Sequence, residues 1–316
     1  MLIAMNSKSI VVTGGAGFIG SNLVKKLMET NQVTVIDDLS TGNLNNIRDF
    51  IDTKKIHFVK GNITDLPFLK NIFKDIDYVF HEAAIPSVPR SIKDPYTSNY
   101  VNAQGTLNTL IAARDNQLKK VIYASSSSVY GDTPILPKKE DMKPNPLSPY
   151  AVSKLTGEYY CEVFARIYHI PTVSLRYFNV YGPKQDPLSE YAAVIPRFIT
   201  NVLKDKSPVI YGDGTQTRDF TYVDDVVAAN ILAAEASSTG VFNVAGGKRI
   251  SINELAQSII TLCKKNISID YVDPRDGDIK HSLADITRAK EKLNYEPKFN
   301  ITEGIEETIR WFQRQI

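Results

Sequence analysis

The two residues of this chain best suited to proton chemistry are Tyr150 and Lys154, within Ser148-Pro149-Tyr150-Ala151-Val152-Ser153-Lys154. Pro149 is typical of the first turn of a helix and Ser148 of its N-cap, and a helix puts residues four apart on one face at about 5–6 Å. A phenol is only about 0.1% ionised at pH 7, a cost of roughly 4 kcal/mol. A cation about 5 Å away offsets roughly 3 kcal/mol of it at an effective dielectric of ~20. The spacing therefore predicts Tyr150 as a general base assisted by Lys154, although a solvated surface pair has the same spacing.

Length and composition are those of an ordinary globular protein. The chain has 316 residues, 43% of them apolar and 23% charged, enough for one large domain or two interlocked ones. A net charge of +2 gives no argument for nucleic acid or an anionic membrane as a partner, and no run of 18 apolar residues predicts a membrane span. Cys161 and Cys263 are the only cysteines and the four histidines are scattered. We therefore expect no disulfide framework, no metal site and a reducing, cytoplasmic location.

A glycine-rich segment near the N-terminus predicts a dinucleotide site. Residues 9–13 form a short β-branched run, read as a buried strand, and a helical pattern follows the glycines. Two registers fit, Gly15-x-Gly17-x-x-Gly20 and Gly14-x-x-Gly17-x-x-Gly20. Either lets the backbone approach a pyrophosphate at the positive end of the helix.

The next predicted strand, residues 32–38, ends in Asp37 and Asp38 about 20 residues past the glycines. A carboxylate there accepts hydrogen bonds from a ribose 2′-hydroxyl and repels a 2′-phosphate, which favours NAD over NADP. Asp37 is the better candidate, and the alternative is that these acids only cap the next turn.

Strands and helices alternate along the rest of the chain. Further strands are predicted at 56–59, 78–81, 119–124, 172–178, 209–214 and 241–244, and helices at 66–73, 95–114, 150–168, 192–204, 224–236, 252–263, 285–293 and 301–314. This alternation predicts an α/β fold, a doubly wound parallel (Rossmann) sheet with a smaller C-terminal α/β domain. The expected nucleotide domain is 1–180 plus about 217–244, and the second domain about 181–216 plus 245–316.

Ligands of such sheets bind beyond the carboxyl ends of the strands. The polar segments just past the predicted strands are 61–63, 82–84 and 125–128. The last is four consecutive serines, which could form a flexible linker. An apolar strand precedes them, so we expect hydroxyl groups presented at a strand end instead.

Four motifs together resemble the extended short-chain dehydrogenase/reductase family, and within it the nucleotide-sugar 4-epimerases. They are Thr13-Gly14-Gly15-Ala16-Gly17-Phe18-Ile19-Gly20, Ser125-Ser126 before Val129-Tyr130-Gly131, Tyr150-x-x-x-Lys154, and Arg176-Tyr177-Phe178-Asn179. The resemblance runs from residue 9 to about 311. Three further stretches resemble epimerases acting on UDP-N-acetylhexosamines: Ser87-Val88-Pro89-Arg90-Ser91, Ala192-Ala193-Val194-Ile195-Pro196 and His281-Ser282-Leu283-Ala284-Asp285.

The resemblance implies a mechanism for this chain. Tyr150 takes the proton of the sugar 4-hydroxyl, Ser126 hydrogen-bonds that oxygen, and Lys154 lowers the pKa of Tyr150 and holds the nicotinamide ribose. Hydride passes from sugar C4 to NAD, the 4-keto sugar turns over, and the hydride returns to its other face. NAD therefore stays bound between turnovers.

The resemblance also implies binding residues. NAD contacts are expected at Gly14, Gly17, Phe18, Ile19, Asp37, Asn62, Ile63, Ala83, Asn102, Tyr150, Lys154 and Tyr177. Substrate contacts are expected at Ser87, Ser126, Ser127, Tyr150, Asn179, Ala193, Val194, Tyr211, Arg218, Arg275, Asp278 and Ser282. Arg218 and Arg275 suit a diphosphate because a guanidinium is permanently charged and forked. No residue is assigned to a metal.

Two positions depart from the usual pattern of the family. Asn62 stands where Asp is frequent beside the adenine. Ser282 stands where glucose-restricted relatives carry a bulky aromatic, so the smaller side chain opens room for a 2-N-acetyl group. The expected substrates are UDP-GlcNAc and UDP-GalNAc, with UDP-glucose and UDP-galactose also accepted.

Several alternatives stay open. A 4,6-dehydratase needs an acid–base pair where Ser127 and Ser128 stand, which argues against that reaction. A uronate 4-epimerase needs a cation near sugar C6, and Arg90 could supply it. A non-catalytic NAD-binding regulator would not require the Tyr–Lys pair. The resemblance further implies a homodimer in which helices 95–114 and 150–168 of each subunit form a four-helix bundle.

Overall fold

A seven-stranded parallel sheet is the centre of the fold. The computed structural model describes residues 5–187, 193–274 and 280–315. The strands are β1 Ser9–Thr13, β2 Gln32–Asp37, β3 His57–Lys60, β4 Tyr78–His81, β5 Lys120–Ser126, β6 Thr172–Tyr177, β7 Val180–Tyr181, β8 Val209–Tyr211, β9 Thr217–Asp219, β10 Thr221–Tyr222, β11 Gly240–Val244, β12 Arg249–Ser251 and β13 Asp270–Val272. The sheet order is β11-β6-β5-β4-β1-β2-β3, and every pair in it is parallel. The order reverses between β1 and β4, where a doubly wound sheet opens a crevice for ligands. The predicted Rossmann-type fold is confirmed.

Helices cover both faces of this sheet. They are α1 Phe18–Leu27, α2 Arg48–Asp52, α3 Leu66–Ile72, α4 Val88–Lys93, α5 Pro95–Asn99, α6 Gly105–Asp115, α7 Pro149–Ile167, α8 Val194–Leu203, α9 Val223–Glu235, α10 Ile252–Leu262, α11 Thr287–Leu293 and α12 Ile301–Gln313. Ile10 and Val12 of β1 pack on the face covered by α1 and α9. Val11 points to the opposite face, under α3, α6 and α7. Both alternating sets are buried, which explains why the strand is apolar throughout.

A separate apolar cluster forms beside the sheet. Residues of α8, α10 and α12 pack there with Tyr181 and Tyr222. The short strand pairs β7–β10, β9–β12 and β8–β13 also lie outside the central sheet. β11 is the last strand of the central sheet. The expected domain boundaries stay a prediction.

The predicted 95–114 helix is interrupted. α5 is followed by a π-helical turn, Tyr100–Gln104, before α6 begins at Gly105. A Cβ on Gly105 would collide with the side chain of Ile63, so α6 approaches the loop after β3 closely. The apolar pattern carries no signal for such a turn. The predicted strand at 209–214 is confirmed as the shorter β8, whereas the six-residue α4 and the other two- to three-residue strands were too short to predict from periodicity.

Candidate active site

A cavity of about 580 Å³ lies beyond the carboxyl ends of the strands, at the crevice between β1 and β4. Most of the predicted cofactor residues line its wall, namely Gly14, Gly17, Phe18, Ile19, Asp37, Asn62, Ile63, Ala83, Tyr150, Lys154 and Tyr177. Ser87 lines it as well. The parallel sheet thus brings residues that are far apart in sequence to one edge.

The structure selects one of the two glycine registers. Gly14 has φ +72°, and a Cβ there would lie 2.6 Å from the backbone nitrogen of Ala83. Gly15 instead packs on Val35, where a Cβ would meet the side chain at 2.6 Å. The cavity is lined by Gly14, Gly17 and Gly20, so the Gly14-x-x-Gly17-x-x-Gly20 register faces it. Gly17 is the N-cap of α1 and offers no capping side chain, which leaves the N–H groups of the first turn to bind an anion.

Asp37 lies at the end of β2 in the cavity wall. Its Oδ2 accepts from the backbone N–H of Ala16 at 3.0 Å and its Oδ1 from that of Leu39 at 2.9 Å. Burial raises the pKa of Asp37, and these two hydrogen bonds oppose the rise. The carboxylate is therefore held in a fixed orientation, and its remaining lone pairs can accept hydroxyl donors.

The neighbouring Asp38 explains the Asn at position 62. Asn62 Nδ2 donates to Asp38 Oδ2 at 2.9 Å, and Asn62 Oδ1 accepts from the backbone N–H of Thr64 at 2.9 Å. An aspartate at position 62 would place two carboxylates in contact. The amide is thus matched to the aspartate at position 38.

The helix that carries the candidate base begins as the sequence predicts. Ser148 caps α7 by accepting from the backbone N–H of Ala151 at 3.1 Å, and Pro149 is its first residue. Tyr150 and Lys154 share one face, with Lys154 Nζ 5.9 Å from the centroid of the Tyr150 ring. The ammonium is buried and donates to the carbonyl oxygen of Ala124 at 2.7 Å.

The two pKa shifts differ from the sequence argument. Burial raises the pKa of the Tyr150 phenol, and the adjacent Ser126 hydroxyl partly opposes the rise. Burial also lowers the pKa of Lys154 to about 8. The spacing of the two residues reports their mutual attraction, whereas the desolvation that each group suffers in the cavity wall follows only from the fold.

Ser126 ends β5 next to this pair. Its Oγ accepts from the backbone N–H of Ser128 at 3.2 Å and caps the 3₁₀ turn Ser127–Tyr130. The preceding Ser125 lines the cavity and donates to the carboxylate of Glu158. The serines therefore belong to a strand end and a capped turn, as predicted, and not to a linker.

A second cavity, of about 250 Å³, holds predicted substrate residues. Its wall includes Asn179, Ala193, Val194, Tyr211 and Arg218. Ala193 lines both cavities, so the two adjoin. Arg218 Nη1 donates to its neighbour's carbonyl, Thr217 O, at 3.0 Å. A nucleotide could lie here and extend its sugar toward Tyr150.

Some predicted residues are not brought to either cavity wall. Asn102 is buried, and its amide binds the backbone of Ile85 and the hydroxyl of Ser153. Ser282 is buried and donates its backbone N–H to Thr217 O at 3.0 Å. Among the described residues, the predicted site residues absent from both linings are Asn102, Ser126, Ser127 and Ser282. Arg275, Asp278 and Ala192 lie outside the described residues.

Four charged residues of the larger cavity were not assigned from sequence: Glu82, Arg90, Lys184 and Asp186. Glu82 lies in the polar segment 82–84 after β4, and Arg90 is a sequence candidate only for binding a uronate. Lys184 Nζ donates to the carbonyl oxygen of Asn46 at 2.8 Å. The sequence around Lys184 predicts only a turn, so nothing in it pointed to the cavity.

Comparison with known proteins agrees with this geometry. The family model "NAD dependent epimerase/dehydratase family" matches residues 10–245. This chain belongs to that family. The UDP-glucose 4-epimerase of Mycolicibacterium smegmatis is 40% identical to this family member over 310 residues, covering 96% of this chain and 98% of the relative.

Solved structures of the epimerase/dehydratase family superpose closely on this member. The UDP-N-acetylglucosamine 4-epimerase from Methanobrevibacter ruminantium M1, solved with UDP-N-acetylmuramic acid, has a TM-score of 0.96 and 46% identity, covering 99% of this chain and 100% of that one. The UDP-glucuronic acid 4-epimerase from Bacillus cereus, solved with UDP-glucuronic acid and NAD, has a TM-score of 0.89 and 35% identity, covering 98% and 100%.

NAD is the cofactor of this family, and the residues present fit it. A Cβ at Gly14 would collide with the backbone of Ala83 at the cavity wall, so the glycine allows the tight turn that leaves room for the pyrophosphate. The first turn of α1 offers N–H groups to that anion, and Asp37 presents fixed acceptors to a ribose hydroxyl. Across the described residues no cluster of potential ligands could hold a metal ion, and no helix is long and apolar enough to span a bilayer.

Proposed function

We propose that this chain is a UDP-hexose 4-epimerase that interconverts UDP-GlcNAc and UDP-GalNAc, and also UDP-glucose and UDP-galactose. The observation that carries the proposal is the placement of Tyr150 and Lys154 in the same cavity wall as the glycine loop and Asp37. A base beside a dinucleotide site suits oxidation of a secondary alcohol. The adjoining second cavity supplies room for the nucleotide of the substrate.

In this proposal the chain's own residues handle the proton and the orientation. Tyr150 takes the proton from the sugar 4-hydroxyl and returns it to the same oxygen after the sugar, now a 4-ketone, has turned over. Ser126 hydrogen-bonds that oxygen, and the positive charge of Lys154 favours the phenolate. The chemistry supplied by bound NAD is reversible hydride acceptance from C4. Asn179, Tyr211 and Arg218 hold the UDP moiety while the sugar turns.

The preference for N-acetylhexosamines has two supports. The family resemblance implies a bulky aromatic in glucose-restricted relatives where this chain has Ser282, a buried residue that lies outside both cavity walls. The stronger support is that the chain is 46% identical to a UDP-N-acetylglucosamine 4-epimerase. A second candidate substrate is UDP-glucuronate. The exposed Arg90 lines the larger cavity near Ser87 and could pair with a C6 carboxylate.

We also propose a homodimer. Ile92 of α4 is 64% exposed, and Tyr96 of α5 and Tyr100 directly after it, whose rings stack, are 78% and 46% exposed. Val152 and Tyr159 of α7 are 46% and 54% exposed, and α4 and α5 pack beside α7. Several large exposed apolar side chains on helices that pack together are typical of an interface, and they suit a four-helix bundle made with a second copy. Both cysteines are free, which suits the cytoplasm as the compartment of action.

The proposal is tested by proton NMR of three substrates. Purified protein with added NAD and no reductant is incubated separately with UDP-GlcNAc, UDP-glucose and UDP-glucuronate, and the anomeric and H4 signals are followed. We expect UDP-GalNAc to form fastest. Turnover of UDP-glucose alone would keep the mechanism and defeat the N-acetyl preference, and turnover of UDP-glucuronate alone would favour the second candidate. A 4-keto-6-deoxy product would defeat the epimerase proposal.

The same assay on the Ser282→Tyr variant tests the N-acetyl argument. We expect the variant to lose UDP-GlcNAc turnover and keep UDP-glucose turnover, because a phenol ring would fill the room for the acetyl group. Ser237→Tyr, at an exposed serine, is the matched control and should keep both activities. If the Ser282→Tyr variant keeps the wild-type selectivity, position 282 does not determine whether N-acetylhexosamines are accepted.

A further inference from the structure

Glu82 is an acidic side chain in the wall of the larger cavity that the mechanism above does not use. It follows β4 directly and lines the cavity together with Tyr150 and Lys154. A carboxylate beside a dinucleotide and a diphosphate-bearing substrate would repel both unless its charge is balanced locally. We therefore expect hydrogen-bond donors and a positive charge close to the Glu82 carboxylate.

Two residues from other elements hold this carboxylate in place. The Tyr177 hydroxyl of β6 donates to Glu82 Oε1 at 2.8 Å. Asn230 Nδ2 of α9 donates to the Tyr177 oxygen, also at 2.8 Å, and to the carbonyl oxygen of Val226 at 2.9 Å. These two hydrogen bonds connect Asn230 on α9 with Tyr177 at the end of β6, and Tyr177 with Glu82 directly after β4. Removal from water raises the pKa of Glu82 to about 7, and both Tyr177 and the charge of Lys154 oppose that rise.

Among the described residues of the larger cavity wall, Lys154 is the cation that lies beside the strand end carrying Glu82. Its Nζ donates to the carbonyl oxygen of Ala124 at 2.7 Å. Since His81 pairs with Tyr123 in the parallel register of β4 and β5, Glu82 and Ala124 follow side by side, and both Glu82 and Lys154 line the cavity there.

Two carboxylates among the described residues raise the pKa of Lys154 against its burial, Glu82 and Glu158. Glu158 is already engaged by Arg176, with Nε–Oε1 2.8 Å and Nη2–Oε2 2.7 Å, and by the hydroxyl of Ser125.

Among the described residues, the other titratable groups around the pair do not supply a counter-charge. The Tyr123 ring of β5 has its centroid 5.2 Å from Lys154 Nζ, and burial raises the pKa of this phenol, so it is neutral. His81 lies between the hydroxyls of Thr13 at 2.7 Å and Thr106 at 3.0 Å. Burial and the charge of Lys154 lower the pKa of His81 to about 3, so the imidazole is neutral. Tyr150, on α7, is the proposed base, and burial raises its pKa. Burial and Glu82 itself also raise the pKa of Tyr177, which stays a neutral donor.

We propose that Glu82 is a positioning residue whose carboxylate, anchored by Tyr177 and Asn230, keeps the ammonium charge on Lys154 in the working enzyme. The inference rests on the proposed function, because it acts through the assistance that Lys154 gives Tyr150. Without the charge of Glu82, the buried amine loses its proton more readily. Lys154 then stops favouring the phenolate at a lower pH.

The test is the pH profile of kcat/KM for wild type, Glu82→Gln, Glu82→Asp and Glu140→Gln, on whichever UDP-sugar the wild type turns over. The amide introduced by Glu82→Gln can still accept from Tyr177, so the variant keeps the anchor and loses only the charge. Glu140 is a partly buried carboxylate that accepts from the backbone N–H of Asn243, and it serves as the matched control. NAD content is measured on each purified variant, so that loss of cofactor is not mistaken for a shift.

We expect the alkaline limb of Glu82→Gln to move to lower pH by about one unit, the usual effect of removing one nearby opposite charge. Glu82→Asp should recover most of the shift and Glu140→Gln should overlay the wild type. If the alkaline limb of the kcat/KM profile of Glu82→Gln stays at the wild-type pH, the proposal is overturned, whatever the maximal kcat/KM of the variant. An equal shift of that limb in Glu140→Gln also overturns it. Inactivity at every pH with NAD retained also overturns it, because Lys154 would still be charged at low pH. A wild type inactive on all UDP-sugars would instead refute the proposed function.

Discussion

At the residue scale, the account depends on a phenol that has to lose its proton in a place that disfavours the phenolate. Burial raises the pKa of Tyr150 and lowers that of Lys154 to about 8, so each group alone is shifted toward its neutral form. Each charge lowers the cost of the other, which makes the pair effective only together. Ser126 adds a hydrogen bond to the phenol of Tyr150. In our proposal, Glu82 adds a counter-charge to the ammonium of Lys154.

Replacing Tyr150 by Phe should lower kcat by about 10²- to 10⁴-fold, the usual contribution of a general acid–base group. KM should change little, since the ring and the UDP contacts remain. Steady-state rates with the preferred UDP-sugar measure both constants. Tyr271→Phe, at a tyrosine of β13 that is 53% exposed and outside the proposed dimer face, is the control and should retain the wild-type kcat. A loss smaller than tenfold in Tyr150→Phe would assign the proton transfer to another group.

At the element scale, α7 has three roles because its faces differ: it positions the base, packs on the sheet and contributes to the proposed dimer face. Tyr150, Lys154 and Glu158 recur every four residues and face the sheet, where Arg176 of β6 fastens Glu158 through a buried ion pair. Val152 and Tyr159 point outward. One helix therefore presents the base to the cavity, ties itself to the sheet and contributes to the proposed dimer face.

The outward face predicts the oligomeric state. Wild type should have twice the chain mass of 35.3 kDa in solution, and Ile92→Asp/Tyr96→Asp should have the single mass, because charges in an apolar interface are costly to bury. Light scattering after size exclusion measures both.

A control for surface charge is Tyr271→Asp on β13, at a side chain 53% exposed and outside that face. It should leave the mass unchanged. A monomeric wild type, or an Ile92→Asp/Tyr96→Asp variant that still has the double mass, would contradict the four-helix bundle.

At the scale of the whole molecule, much of the fold was predictable because parallel strands are apolar on both faces. The strands of the central sheet and the longer helices were all found from apolar runs and periodicity, and Ser148 and Pro149 marked the start of α7. The glycine register was left open by the sequence. Only the packing of Gly15 on Val35 and of Gly14 on Ala83 decided it.

What stayed out of reach depends on contacts between distant segments. The π-helical turn before α6 leaves no mark in the apolar pattern, and Lys184 lines the cavity from a turn whose hydrogen bond to the carbonyl oxygen of Asn46 joins segments far apart in sequence. The direction of the Tyr150 pKa shift needed the burial of the phenol, which no local pattern reports. The position of Glu82 directly after a strand could be read from the sequence. Its hydrogen-bonded connection to Tyr177 and Asn230 could not, because these residues are far apart in sequence.

The most direct test of the central claim is the fate of the hydrogen on sugar C4. UDP-GlcNAc is epimerised by the enzyme in D₂O, and the UDP-GalNAc formed is examined by mass spectrometry and by its H4 signal in proton NMR. The account predicts a full H4 signal and no gain in mass at carbon, because the hydrogen leaves and returns as hydride within the site and never exchanges with water. Deuterium at C4 of the product would mean that a base removes that hydrogen as a proton, and it would contradict the account.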